Sequence, residues 1–315
     1  MMAPMEPIVE PELLICDPHH HLIEVSDNHY MMDELLADIG SGHRIEKTVC
    51  IEVGTGYRTD GLEAFRAVGE TELVVELDPD GIIAGIVGYA DLRLPEVDDV
   101  LAAHTEAGAG RLRGIRQCLS WDASSDIVPP RWNPLGLCTD THFRAGFMKL
   151  SDWDLTFDAW LFHPQIPELI ELARACPEVT IIVNHLGGPI GIGPYREGRA
   201  EWMAGWRSNL RTLAECPNVM MKLGGIGMPI MTPSWHDQPG GATSDEIVAV
   251  WGEDIRFCIE LFGVNRCMFE SNFPPDRLSY SYAVLWNAFK KLVAGASPSE
   301  KAALFHDTAS QVYRI

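Results

Sequence analysis

Eight short apolar runs, set apart by helix-like segments and loops, constrain this 315-residue chain more than any other feature. They span residues 13–19, 48–53, 83–90, 114–119, 155–162, 179–184, 219–223 and 266–270. Most are rich in Val, Ile, Leu, Met or Phe and show little of the polar alternation of a half-exposed strand. Runs of this kind are expected of strands buried on both faces, as in a parallel sheet. Helical signals fill the gaps. Residues 95–108 carry apolar side chains at helical spacing and stop at Gly108, and residues 140–150 allow a short helix. Residues 167–176 end before Pro177, and 199–216 before Pro217. Residues 245–262 follow the cap candidates Thr243 and Ser244 and end at Gly263. The last helix opens on Ser297-Pro298-Ser299-Glu300, a capping box with proline in its first turn.

Eight β–α repeats in a chain of this length predict an α/β fold, a (β/α)8 TIM barrel. No low-complexity linker divides the chain. It therefore reads as one domain over residues 1–315, with residues 1–12 as an N-terminal extension. The alternative is an open doubly wound sheet, but the first run lacks the Gly-rich phosphate loop that would support it. Three Gly- and Pro-rich loops, 120–137, 187–198 and 225–242, follow the fourth, sixth and seventh runs. In a barrel these lie on the C-terminal face and can wall a pocket.

The formal net charge of −21 argues against nucleic acid and anionic membrane as partners. No apolar run approaches ~18 residues, so no membrane span is expected. The first 12 residues have no basic region and no long apolar stretch, so no signal peptide is expected. The eight cysteines form no C-x-x-C pair and several fall within apolar patterns. They read as reduced and structural, which suits a cytoplasmic protein.

The chemistry-bearing residues gather where the runs end. Asp17-Pro18-His19-His20-His21 closes the first run. Strand alternation points His19 and His21 the same way and His20 the other. Two imidazoles so placed can grip one divalent ion, zinc or another first-row metal. His163 follows the fifth run, Asn184 and His185 the sixth, and Glu270, Ser271 and Asn272 the eighth. Arg116 lies within the fourth run and Lys222 near the end of the seventh. Barrel enzymes collect catalytic groups at this end of their strands.

These residues resemble a known family. The segments Asp17–Leu22, Phe162-His163-Pro164-Gln165, Asn184-His185-Leu186-Gly187-Gly188 and Phe269-Glu270-Ser271-Asn272-Phe273-Pro274 are similar to those of amidohydrolase-superfamily barrels of the "amidohydrolase 2" type, and within it to the lactonase-like metal-dependent hydrolases. The resemblance implies a divalent metal, zinc by preference, held by His19, His21 and His163. It also implies that His185 polarises substrate or moves protons. Family members place an aspartate after the eighth strand, and here the matching residue is Asn272. An amide cannot serve as a carboxylate base, so metal occupancy is open. Glu270, which shares strand parity with Asn272, and Asp276, beyond two prolines, are the candidate replacements.

The expected reaction is water-driven opening of a lactone or related cyclic ester of a small, carboxylated substrate. Arg116 and Lys222, with Arg58 and Arg196 as further candidates, would hold the substrate carboxylate. Trp160, with Trp121, Trp132 and His236, would shape the rim. A metal-dependent non-oxidative decarboxylase of an aromatic or unsaturated acid is the first alternative, and a non-catalytic ligand-binding barrel the second. The resemblance also implies association into homo-oligomers, although no interface is marked in the sequence.

Overall fold

The computed structural model describes residues 6–25, 28–128, 133–232 and 234–315. Trp132 lies outside them. Eight parallel strands follow one another around the molecule in sequence order. They are β1 (Leu14–His20), β2 (Arg44–Ile51), β3 (Ile83–Gly88), β4 (Leu112–Ile115), β5 (Thr156–Ala159), β6 (Ile181–Val183), β7 (Val219–Leu223) and β8 (Cys267–Phe269). Each expected run supplies one barrel strand.

The barrel is closed by backbone bonds between the end of β1 and the segment after β8. His21 N donates to Phe273 O at 2.8 Å, and Asn272 N donates to His19 O at 2.9 Å. The seam therefore lies beside the histidines. The doubly wound alternative is excluded by this order and by the closure.

Helices occupy most of the intervals that the spacing marked. They include Val97–Ala107, Thr141–Asp152, Ile166–Ala175, Arg199–Ala214 and Ser244–Phe262. Asp140 caps Thr141–Asp152 by accepting from the His142 and Phe143 backbones. Thr243 and Ser297 form capping boxes with Glu246 and Glu300. Three helices, Met32–Ile39, Val68–Leu77 and Tyr282–Leu292, and a small hairpin pairing Ile23–Val25 with Asn28–Tyr30, were not marked in the sequence. Among the described residues no helix is long and apolar enough to cross a membrane. All eight cysteines are buried and unpaired.

The core has three parts, the smallest joining Cys118, Ile127, Trp160, Phe162 and Ile190 under the long loops. A large layer between strands and helices includes the Phe143–Phe147–Phe157 ring cluster. A smaller cluster joins Cys16, Val49, Ile51, Val87, Ile182 and Met268, one or two residues from each of five strands, to Ala309 and Tyr313 of the last helix. The C-terminal helix is thus packed against the barrel's own filling.

Gly146, in the helix Thr141–Asp152, marks a close approach. A β-carbon there would fall 1.9 Å from the Leu92 carbonyl oxygen, and backbone cannot swing aside as a flexible side chain can. Gly146→Ala is expected to destabilise the fold by about 1–3 kcal/mol, read as a lower denaturant midpoint by circular dichroism. An unchanged midpoint would contradict this packing.

Candidate active site

At the C-terminal mouth of the barrel, His19, His185 and Glu270 each present one ligating atom within 4.8 Å of the others. Among the described residues no other three His, Cys, Asp or Glu side chains are grouped this way. Strand parity delivers His19 inward from β1. Glu270 follows β8 directly and points to the same interior.

His185 enters differently. It follows β6 by two residues with a left-handed backbone, φ 54°, and Asn272 after β8 shares that conformation, also at φ 54°. A left-handed backbone is uncommon for residues other than glycine and is held only by surrounding structure. Gly225 supplies part of that hold, since a β-carbon there would lie 2.3 Å from His185 Nδ1.

Glu270 is the hub. Its Oε1 accepts from His185 Nδ1 at 2.7 Å and from the His185 backbone at 3.1 Å. Its Oε2 lies 2.7 Å from His19 Nδ1. That approach is out of line for a hydrogen bond, so Oε2 remains a fully buried oxygen without a partner. Burial raises the Glu270 carboxyl to about 8, against the lowering effect of Lys222. Burial also holds His19, His21 and His185 well below the usual histidine range, assisted by the Lys222 and Arg116 charges. The three imidazoles are therefore neutral near pH 7.

His21 stands beside the group, with Nε2 3.3 Å from His19 Nε2 and Nδ1 2.8 Å from the Ile51 carbonyl. A cavity of about 170 Å³ opens over His21, His185, Arg116, Trp160, Met228 and Asn272. The Trp160 ring meets His185 edge-on at 4.7 Å. A larger hollow, about 620 Å³, opens between the loops after β2 and β3, beside Tyr57, Leu62, Arg66 and Tyr89. It contains none of the histidine–glutamate groups, so the smaller cavity is the candidate site.

Several expected residues lie elsewhere. His163 is not brought to the centre. β5 ends at Ala159, four residues earlier, so His163 sits in the following turn and packs against the Tyr195 and Trp202 rings. Its Nδ1 accepts from Ile190 N at 3.3 Å. Of the expected metal trio only His19 belongs to the group; His185 and Glu270 stand where His21 and His163 were expected.

Arg58 is half-exposed, its Nε donating to Glu72 at 3.1 Å, and it does not reach the cavity. Lys222 is wholly buried beneath the histidines, bonded to Asp158 at 2.7 Å, and cannot meet a substrate carboxylate in the cavity. Arg196 and His236 are exposed, and Trp121 is half-buried. Arg116 does line the cavity. Its Nε donates to Glu52 Oε1 at 2.9 Å and its Nη2 to the Glu52 carbonyl. Among the described residues, Nη1 makes no hydrogen bond.

Asp276 is buried behind Asn272 rather than in the cavity. It accepts from Asn272 Nδ2 at 2.7 Å, Gly227 N at 2.9 Å and the Tyr280 hydroxyl. It therefore orients the Asn272 amide. Asp158, Glu52 and Tyr313 were missed by the sequence reading. Asp158 and Glu52 did carry a signal, as single carboxylates inside apolar runs, and Tyr313 carried none.

The donor set fits a divalent cation. Two neutral imidazoles and a carboxyl with an orphaned oxygen converge on one point, and a cation would satisfy Oε2.

The profile of the amidohydrolase family matches residues 16–315. The Sinorhizobium fredii protein named "Uncharacterized protein y4mH" is 35% identical over 96% of this chain and 99% of its own length. An L-fucono-1,5-lactonase of Burkholderia multivorans is 27% identical, covering 78% of this chain and 77% of that one. Among solved structures, a Burkholderia multivorans amidohydrolase with bound zinc has a TM-score of 0.75 at 24% identity, covering 96% of this chain and 99% of that one. A manganese-bound dihydroxybenzoic acid decarboxylase of Polaromonas shares the fold at a TM-score of 0.57 and 14% identity, with 96% of each chain covered.

Raised carboxyls and lowered histidines pull stability in opposite directions with pH. The buried histidines stay neutral in the native state, so their contribution is present above the unfolded value near 6.5 and lost below it. Glu70 and Asp276 are held up, to about 8 and about 7, chiefly by burial. Their contribution is complete below the ordinary carboxylate range and lost as pH rises through 7–8. Urea stability is expected to fall between pH 6.5 and 8.5, and less steeply in Glu70→Gln. A rise across that window would contradict the assignment.

Proposed function

The chain belongs to the amidohydrolase family, and from that premise we propose that it is a hydrolase opening a small cyclic ester at the His19–His185–Glu270 centre. The single observation that carries this reading is the pairing of His185 with Glu270 at the wall of the cavity. Glu270 Oε1 already accepts from the His185 backbone, so it takes the Nδ1 proton of the ring as well. Nε2 of His185 is then the lone-pair nitrogen, and Trp160 and Gly225 hold the ring in place. This is the base-and-orienter arrangement that acyl transfer to water requires.

A water in the cavity gives its proton to His185 Nε2 as its oxygen bonds to the ester carbonyl carbon. Glu270 Oε1 keeps the ring oriented through the Nδ1–H bond while it carries the proton. The Arg116 Nη1 donor offsets charge building on the carbonyl oxygen. When the ring C–O bond breaks, His185 returns the proton to the departing alkoxide, giving a hydroxy acid. The same His19, His185 and Glu270 would hold a divalent ion, zinc by preference, which would supply Lewis acidity there and would take the His185 lone pair in place of its work as base. The cavity, below the ~300 Å³ typical of drug-sized sites, suits a single small ring. The likeness to an L-fucono-1,5-lactonase supports a lactone substrate.

A panel of neutral sugar lactones and carboxylated pyrone lactones, followed by acid release with CO₂ detected in parallel, tests the proposal. Ring opening without CO₂ is expected. His185→Asn and Glu270→Gln should each lower kcat/KM by about 10²–10⁴ with the far-UV spectrum unchanged. CO₂ release from an aromatic acid without lactone opening would replace this reading with the decarboxylase. Ligand binding without turnover would leave a binding barrel.

A further inference from the structure

The cavity over the histidine centre is bounded on one side by an amide whose two prongs are not interchangeable. Asn272 lines the cavity and is 1% exposed. Its backbone is tied at both ends, N donating to His19 O at 2.9 Å and O accepting from Asp276 N at 3.2 Å. Its side-chain Nδ2 donates to Asp276 Oδ1 at 2.7 Å, away from the cavity. Asp276 is fully buried, and its other oxygen, Oδ2, accepts from Gly227 N at 2.9 Å and from the Tyr280 hydroxyl. Burial and the Asp276 charge hold that hydroxyl well above its ordinary range, so it stays a donor.

The orientation of the amide follows. A carboxylate accepts and does not donate, so the NH₂ prong of Asn272 is the one that faces Asp276. The carbonyl prong is left for the cavity, and among the described residues Asn272 Oδ1 makes no hydrogen bond. Much of the surrounding wall is apolar, from Val53, Trp160, Met228 and Pro275. A nearly buried oxygen without a donor is costly, so the site favours an occupant that brings one.

We propose that Asn272 Oδ1 is a specificity-determining acceptor, locked by Asp276, that selects a ring bearing a free hydroxyl group. The inference rests on the reading of the cavity as the place where a cyclic ester is opened, and it names the kind of ring. A hydroxyl supplies the missing donor. A bare ring leaves the oxygen unpaired, and an ether or a ring carboxylate has no hydrogen to give. A site built around a substrate hydroxyl discriminates against the analogue without it, because its own polar group is then stranded. An amide does this without setting a second carboxyl against Asp276, as an aspartate at this position would.

The test is calorimetric binding, at about pH 8, of γ-butyrolactone, its α- and β-hydroxy derivatives and their methyl ethers. Burial raises Asp276 to about 7, so at that pH it is ionised and only accepts. The host is full-length His185→Asn protein, in which ring opening is slowed and binding is read alone. At least one hydroxylactone is expected to bind about tenfold or more tighter than γ-butyrolactone and than its own methyl ether. Asn272→Gly, which keeps the left-handed backbone without strain, should bring both ratios close to one. Asp276→Asn should invert the amide. Gly227 N still needs an acceptor, so the new side chain turns its NH₂ toward Asn272, which must answer with its oxygen. The cavity then presents a donor, and the methyl ether should gain about tenfold relative to the hydroxylactone. Equal binding of hydroxy and deoxy rings, or no binding of either, would overturn the proposal, as would ratios unchanged in Asn272→Gly or Asp276→Asn. Zinc affinity lowered more than about a hundredfold in Asn272→Gly, beyond the reach of groups behind metal ligands, would make the amide an ion ligand and also overturn it. A hydroxyl preference without ring opening by the unsubstituted enzyme would sink the hydrolase reading and leave this inference standing. Ring opening without the preference would do the reverse.

Discussion

One carboxyl group, cut off from water, ties three strands of the barrel together at the point where chemistry is expected. Glu270 follows β8, bonds twice to His185 beyond β6, and faces His19 from β1. Charge in such a place is costly, which is why burial drives Glu270 toward its neutral form and the imidazoles toward theirs. The surrounding geometry follows from this need. The barrel seam, where β1 meets the segment after β8, brings His19 and Glu270 side by side. The left-handed backbone at His185 turns its ring to the carboxyl, with Gly225 giving it room.

The two cations of the region are placed by the same logic. Lys222 is paired with Asp158 and Arg116 with Glu52, so neither is buried alone. One lies beneath the histidines, its Nζ 3.2 Å from His19 Nδ1. The other reaches the cavity wall, where its Nη1 makes no hydrogen bond among the described residues. The family's customary aspartate is absent, and its nearest carboxylate, Asp276, is set behind Asn272. Asn272 therefore presents an amide at the cavity wall.

The fold was legible because strands buried on both faces write themselves as unbroken apolar runs, and because helix ends carry caps such as Asp140, Thr243 and Ser297. The inward aim of His19, His21 and Glu270 was legible from parity. His163 misled because the apolar run continues past the true end of β5. Trp160 and Phe162 are apolar for a different reason, since they pack with Cys118, Ile127 and Ile190 under the long loops. Lys222 and Arg58 were read as substrate-binding because a charge is visible in sequence while its partner is not. Asp158 and Glu72 reach them through space, from 64 and 14 residues away. Tyr313 was invisible for the same reason.

The most direct measurement is a crystal structure of the protein soaked with zinc, recorded across the zinc absorption edge. The Glu270 carboxyl is expected between His19 and His185, with an anomalous peak within bonding distance of those three side chains. A Glu270 turned away from both imidazoles, or a zinc ion held by His163 instead, would contradict it.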